Sequence, residues 1–326
     1  MSTILITGGT GLIGTALSQM LMEKGYDVIL LSRQTAAARK PSGPQAQPLA
    51  PGGATLTIAH WDPAAEIIDP EAIRRADHIV HLAGAGVADK RWSAKRKKEI
   101  VESRTRSSAL IIKALQEIPN RVKTVVSVSG IGWYGPDPSI PNPRPFEEGD
   151  PADDAFLGET CRLWENSIAG VTGMGKRLVI LRTGVALSGK GGALAEFRKP
   201  VKLGVAAILG SGRQMVSWIH IEDLCRLFMQ AIENEAWAGV YNAVAPQPVD
   251  NRTLTLELAR RLKGKYFVPV YVPSFILTIV VGELSVEVLK SATVSAKKAR
   301  QAGFQFLYPS IQSALDNLTT PFTDRS

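Results

Sequence analysis

The sequence is poor in several things, and each shortage excludes a class. It has two cysteines, Cys161 and Cys225, among 326 residues, too few for a disulfide-stapled scaffold. Its 29 glycines and 20 prolines follow no three-residue period, so a collagen-like chain is excluded. No uncharged run is long enough for a membrane span, which needs about 20 apolar residues. The most apolar stretch, Phe267 to Val281, is interrupted by Pro269 and Pro273 and followed by Glu283 and Glu287. It is expected to be core. The first residues carry no basic region or cleavage-like site, so a cytoplasmic protein with reduced thiols is expected. No internal repeat is visible.

What is present is an ordinary globular composition, 45% hydrophobic and 21% charged, which rules out a disordered chain. The length suits one large α/β domain with a smaller lobe. The net charge of +8 favours anionic partners in general. The densest basic stretch is Lys90, Arg91, Lys95, Arg96, Lys97, Lys98, Arg104 and Arg106. Glu99 and Glu102 interrupt it, and only Trp92 offers an aromatic platform. A solvated helix face is expected rather than a nucleic-acid site.

Short apolar runs alternate with helix-period stretches through the first half. Strands are expected at Thr3–Thr7, Asp27–Leu31, Thr55–His60, His78–Leu82, Lys123–Val128 and Arg177–Leu181. Helices are expected at Leu12–Glu23, Lys98–Gln116 and Phe156–Ala169. This order implies a doubly wound parallel α/β sheet. Gln34 to Ala54, rich in Pro, Ala and Gly, interrupts it as an insertion, and Trp133 to Ala155 as a long loop. Beyond Thr183 the alternation weakens. Strands at Trp218–Ile221 and Val240–Val244 and helices at Arg252–Leu262 and Phe275–Lys290 are expected there. The division that follows is a Rossmann domain of residues 1–182 and 215–245, with a smaller substrate lobe of 183–214 and 246–326.

Thr7-Gly8-Gly9-Thr10-Gly11-Leu12-Ile13-Gly14 follows a strand and opens a helix. Gly8 permits a tight turn. Gly11 lets backbone N–H groups, with those of Thr10, Leu12 and Ile13, approach a pyrophosphate at the helix N-terminus. Gly14 lets helix and strand pack closely. A dinucleotide with an unmodified ribose is usually met by an acid at the end of the second strand. Here that strand ends Leu31-Ser32-Arg33, and Arg33 suits a 2′-phosphate. NADP is therefore expected in preference to NAD. Leu82, Ala83 and Gly84 supply small backbone at the cofactor ribose. Asp62 either reaches the adenine amino group or is a solvated loop carboxylate.

These motifs resemble the extended short-chain dehydrogenase/reductases of the NAD-dependent epimerase/dehydratase superfamily, and most closely their atypical sugar-nucleotide-epimerase-like branch. The resemblance runs through Leu82-Ala83-Gly84-Ala85, Arg91-Trp92, Glu102-Ser103-Arg104, Trp133-Tyr134-Gly135, Trp164-Glu165 and Leu181-Arg182-Thr183-Gly184-Val185. It continues through Gly191-Gly192-Ala193-Leu194, Gly210-Ser211-Gly212-Arg213-Gln214, Ser217-Trp218-Ile219-His220 and Ala302-Gly303-Phe304. It spans essentially the whole chain apart from the insertion. It implies an NADP(H)-dependent oxidoreductase or epimerase acting on a small, anionic or nucleotide-linked substrate, with Thr183 among the cofactor contacts.

The superfamily's chemistry uses a Tyr-x-x-x-Lys pair and a serine. Here Cys161 stands at the tyrosine position and Glu165 at the lysine position. A carboxylate cannot lower a neighbouring pKa as a cation does, so an atypical mechanism is implied. Ser129 fits the serine, and Tyr134 is the alternative acid/base, or else a packing aromatic. Arg91, Arg182, Arg213 and His220 are the candidates on the substrate side, with structural roles for Arg182 and His220 as the other reading. His220 with Glu222 and Asp223 has poor metal-ligand spacing, so no metal is expected, and Asp223 suits a helix N-cap. The missing pair also admits a second class, an NADPH-binding sensor or scaffold without turnover. Some relatives carry a cell-division label that belongs with it. The sequence leaves the oligomeric state open, a homodimer included.

Overall fold

The computed structural model describes residues 2–33 and 53–320. The insertion expected at Gln34–Ala54 therefore lies, apart from Gly53 and Ala54, outside the described residues.

The first half builds β1 (Thr3–Thr7), α1 (Leu12–Glu23), β2 (Asp27–Ser32), β3 (Leu56–Asp62), β4 (Ile67–Ile68), α2 (Pro70–Arg75) and β5 (His78–His81). Then come α3 (Ala94–Glu117), β6 (Thr124–Gly130), α4 (Phe156–Ile168) and β7 (Arg177–Thr183). The second half adds β8 (Val185–Ser188), β9 (Gly191–Gly192), α5 (Ala193–Lys202), β10 (Val205–Leu209), β11 (Met215–Val216), β12 (Trp218–His220) and α6 (Ile221–Glu233). It continues with β13 (Gly239–Ala243), β14 (Val249–Asp250), α7 (Asn251–Lys263), β15 (Val268–Val272) and α8 (Ser274–Val281). It closes with α9 (Ser285–Leu289), α10 (Lys297–Gln301) and α11 (Ile311–Thr319).

Eight strands form one sheet in the order β13-β7-β6-β5-β1-β2-β3-β4. All neighbours are parallel except β3 and β4. The chain winds one way from β1 to β3 and the other way from β5 to β13. The carboxyl ends of β1 and β5 therefore flank a topological switch point, where such sheets bind ligands.

Period-two alternation builds both core layers from the same strands. Ile4, Ile6, Val28, Leu30, Val126, Val179 and Leu181 face α1 and α6, packing on Leu17, Leu21, Leu224 and Phe228. Leu5, Ile29, Leu31, Ile79, Val125, Leu178 and Ile180 face the other way, onto Ile73, Leu110, Ile111 and Leu115 of α2 and α3. A separate core of Leu187, Leu194, Trp218, Leu254, Leu258, Ile311 and Leu315 holds the second-half elements.

Of the two strands expected to return to the sheet, β13 does so. β12 instead pairs with β8 in a small three-stranded sheet. The strand expected through Ile221 ends at His220, because His220 starts helix α6. Its ring accepts from the Glu222 backbone N–H, so His220 is the N-cap expected at Asp223. The single helix expected at Phe275–Lys290 is three pieces, broken at Gly282, whose φ of 67° lies in the left-handed region. The larger correction concerns Phe267 to Val281. It was expected to be core, yet β15 is mostly exposed, and Phe275 and Ile279 are 65% and 68% exposed. Only Leu277 of α8 is buried.

Candidate functional site

Each glycine of the first turn answers a different contact. Gly8 has φ +67°, and a Cβ there would lie 2.9 Å from the Leu82 carbonyl. A Cβ on Gly14 would lie 2.5 Å from the Gly8 oxygen and 2.6 Å from the Gly9 Cα, so helix and turn touch through bare backbone. Gly11 is the N-cap of α1 and has an ordinary φ of −76°. No side chain caps that helix, and Thr10 and Gly11 are exposed. The amides of its first turn are thus presented with the positive end of the helix dipole. Leu12 packs on Gly191 and Gly192, so the β8–β9 turn lies against this loop.

The segment after β5 is clamped to the glycine turn by Thr7. Its Oγ1 accepts from the backbone N–H of Leu82 and of Ala83, each at 3.1 Å. The hydroxyl proton therefore goes to His81 Nδ1 at 2.8 Å. That leaves the ring proton on Nε2, facing Ser108 Oγ at 3.2 Å. Complete burial, and Arg104 nearby, pull the His81 pKa down to about 3. Arg104 is itself buried. It donates to the carbonyls of Ala85 and Ile100, and its guanidinium sits 4.7 Å from the Trp164 ring centre. A Cβ on Gly84 would meet that guanidinium at 3.1 Å. Neither Thr7 nor His81 was singled out in the sequence. The signal available was two polar side chains in otherwise apolar buried strands.

The third group gathers around Glu165 of α4. Register pairs Ser129 on β6 with Arg182 on β7, and α4 brings Glu165 against both. Ser129 Oγ donates to Glu165 Oε1 at 2.7 Å. Arg182 binds the same carboxylate twice, Nε to Oε1 and Nη2 to Oε2, each at 2.9 Å. Arg182 Nη1 donates to the Tyr134 hydroxyl and to the Glu148 carbonyl, and the guanidinium stacks 3.6 Å from the Trp133 ring centre. Every Arg182 nitrogen is thus engaged inside the protein, so Arg182 is a structural cation and not the substrate contact first considered.

Tyr134 is likewise internal. It is fully buried, its hydroxyl donates to Asn242 Oδ1 at 2.7 Å, and its ring stacks on Phe146. Burial pushes its pKa up to about 12, against the pull of Arg182 and Asn242. It holds the Arg182 network and is not placed as an acid/base. Cys161 is buried, with Sγ 3.5 Å from the Gly130 carbonyl. Burial, then the Glu165 carboxylate, push its thiol pKa up.

The remaining candidates are scattered around these groups. Arg33 is exposed at the end of β2. Asp62 closes a turn by accepting from the Ala64 backbone N–H, which favours the loop-carboxylate reading. Thr183 ends β7, beside Gly130. Arg213 is exposed in the loop after β10. Arg91 lies against Gly282 of the C-terminal segment. His220 has both ring nitrogens occupied, by the Glu222 N–H and by Asn317, and it stacks on Tyr308. It is a cap and packing residue and does not face a crevice. Asp223, buried in the first turn of α6, accepts from the Leu307 and Tyr308 backbone N–H groups. Among the described residues no cluster of three or more His, Cys, Asp or Glu could hold a metal ion. No helix among them is long and apolar enough to cross a membrane.

Residues 4–243 match the model of the NAD dependent epimerase/dehydratase family. The chain belongs to that family. Residues 272–318 match a second model, a domain of unknown function (DUF1731). Epimerase family protein YfhF of Bacillus subtilis is 32% identical over 317 residues, covering 97% of each chain. The crystal structure of human epimerase family protein SDR39U1 with NADPH is 30% identical, with a TM-score of 0.81, covering 97% of this chain and 99% of the human one. The UDP-glucuronic acid 4-epimerase of Bacillus cereus, solved with UDP-glucuronic acid and NAD, is 17% identical with a TM-score of 0.75, and shares the fold.

Proposed function

We propose that the chain binds NADP(H) at the switch point and acts as an oxidoreductase or epimerase-like protein of atypical mechanism on a small anionic or nucleotide-linked substrate. The observation that carries the reading is the uncapped N-terminus of α1 behind Gly8, Gly11 and Gly14, together with an exposed cation and no acid at the end of β2. The residues fit the dinucleotide. The amides of Gly11, Leu12 and Ile13 would take its pyrophosphate, Arg33 its 2′-phosphate, and the Leu82–Gly84 backbone its ribose. Thr183, at the end of β7 beside Gly130, would be a further contact, whereas Asp62 is engaged in its own turn. The human relative solved with NADPH supports the choice of dinucleotide. On this reading residues 1–182 and 215–245 would serve the cofactor and the rest the substrate, although β12 joins the small sheet with β8.

When bound, nicotinamide supplies hydride transfer. The proton belongs to this chain. A substrate hydroxyl donating to Ser129 Oγ could hand its proton on, because the Ser129 hydroxyl already donates to Glu165. Arg91 and Arg213 are the exposed cations left to meet an anionic substrate.

A second reading, binding without turnover, draws on the same cluster. The Glu165–Arg182 ion pair fills the space of the usual catalytic pair and ties Ser129 to it. Titration calorimetry of the wild-type chain and of Arg33→Ala tests the cofactor assignment. NADPH should bind well ahead of NADH. Arg33→Ala should weaken NADPH by about 10–100-fold, the worth of roughly 1.5–3 kcal/mol for a charge-assisted bond, and leave NADH unchanged. Equal affinities in the wild type would overturn it. Turnover of a nucleotide-sugar panel that is lost in Ser129→Ala separates the enzyme from the sensor.

A further inference from the structure

The apolar segment after Tyr266 is exposed. Tyr266 is 78% exposed, and Val268, Val270 and Tyr271 of β15 are open to solvent with it. In α8, Phe275, Ile276, Ile279 and Val280 share one face at i, i+4 spacing, and all four are exposed. Leu203 and Val286 are also exposed. So many large exposed apolar side chains in one short segment are uncommon on an ordinary monomer, where such residues are usually scattered singly.

The charges around this surface point to its occupant. At the start of β15 stand Lys202, Lys263 and Lys265, and no ion pair is formed by any of them among the described residues. At the far end, Arg91 packs on Gly282, and Lys90 and Lys95 stand in the same stretch, where they also share the field of Glu99. The acids of the segment are neutralised locally, Glu283 by Lys97 and Glu287 by Lys290. The surface is therefore apolar and bordered at both ends by cations, with Lys202, Lys263 and Lys265 outside any ion pair among the described residues.

Strand addition is disfavoured. Among the described residues β15 pairs only with β10, and Val268 donates to the Gly204 carbonyl on that side. Alternation turns Pro269 and Tyr271 toward the open edge. Pro269 has no N–H to offer there, a device that blunts an edge. A second copy meeting this face about a two-fold axis would bring the same unpaired lysines together.

We propose that the β15–α8 face docks on an anionic lipid bilayer surface. The aromatic and aliphatic side chains would enter the headgroup region and the flanking lysines would meet lipid phosphates. α8, with eight residues, lies on such a surface and does not span it.

Flotation of the full chain with phosphatidylcholine vesicles, with and without phosphatidylglycerol, tests this. Binding is expected on the phosphatidylglycerol vesicles and should weaken as salt rises. Phe275→Glu with Ile279→Glu should lower it by at least about tenfold with an unchanged thermal unfolding midpoint, since both side chains are exposed. Lys263→Glu with Lys265→Glu should lower only the phosphatidylglycerol-dependent part, again by about tenfold. The proposal falls if the wild type floats with neither vesicle, or if both variants float as the wild type does. It also falls if the wild type is a dimer that Ile279→Glu splits while neither form binds vesicles.

Discussion

Glu165 and Arg182 form a two-bonded ion pair in the interior, 2.9 Å at each contact, with the Ser129 hydroxyl as a third partner of the carboxylate. Both side chains are more than nine-tenths buried. Burial opposes the charge on Arg182, and the Glu165 carboxylate more than offsets it, leaving the guanidinium pKa raised. The buried acid is thus part of a built arrangement, answered by an arginine on β7 and a serine on β6.

That arrangement predicts how the site responds to repair. Glu165→Ala leaves Arg182 buried and unpaired and should cost about 3–5 kcal/mol in urea unfolding. Writing the superfamily pair back with Cys161→Tyr and Glu165→Lys should also destabilise, because a lysine at 165 would face Arg182. Adding Arg182→Met should recover much of the loss. A stable Cys161→Tyr, Glu165→Lys double variant would show that Arg182 is not held by Glu165.

Two glycines of the first turn separate folding from binding. A Cβ at Gly11 would approach only the Gly8 oxygen, at 3.4 Å, on an ordinary backbone. Gly11→Ala should therefore stay within about 1 kcal/mol of wild type and lose NADPH affinity by at least about tenfold, read by calorimetry, since the new methyl stands where the pyrophosphate would approach. Gly14→Ala puts Cβ against backbone at 2.5 Å. It should cost about 1–3 kcal/mol by overpacking, seen as a lower urea midpoint without cofactor.

The readable part of this protein was the part written in local pattern. Strands β1, β2, β5, β6 and β7 were legible because Ile4-Leu5-Ile6 and its counterparts are apolar on both faces, as a doubly covered sheet requires, whereas the two-residue β4 is too short to carry a pattern. The glycine turn was legible because its spacing is itself the constraint. The start of α6 was put at Asp223 instead of His220 because its cap is a histidine, which a search for Ser, Thr, Asp or Asn passes over. The acid at position 165 was legible, but its partner was not, since only the β6–β7 register brings Arg182 to Ser129. Phe267 to Val281 was misplaced for a related reason. Hydropathy says which residues avoid water, and only tertiary packing says which of them are covered.

Asp223 should behave as a tether for the C-terminal segment. Its two carboxylate oxygens accept from Leu307 N and Tyr308 N at 2.9 Å, and Arg226 pairs with Oδ1. Asp223→Ala removes the acceptor for two backbone donors at a fully buried position. The expected cost is about 2–4 kcal/mol, each buried unsatisfied donor being worth roughly 1–3. Hydrogen exchange should show early loss of protection in α11, ahead of β1. Uniform loss across both would indicate a global effect instead.

His81 supplies the pH dependence. Its folded pKa is about 3, set first by burial and then by Arg104, whereas an unfolded histidine titrates near 6.5. The unfolded state therefore binds the proton first. Stability from this group is complete above about pH 6.5 and falls by about 1.4 kcal/mol per unit as pH drops toward 3. At pH 5 the loss is about 2 kcal/mol. His81→Gln removes the titration while keeping a donor and an acceptor for Ser108 and Thr7. Urea unfolding at pH 7 and pH 5 should therefore show a smaller drop in the variant than in the wild type, with the carboxylates common to both cancelling. If the two drops are equal, His81 does not carry the shift.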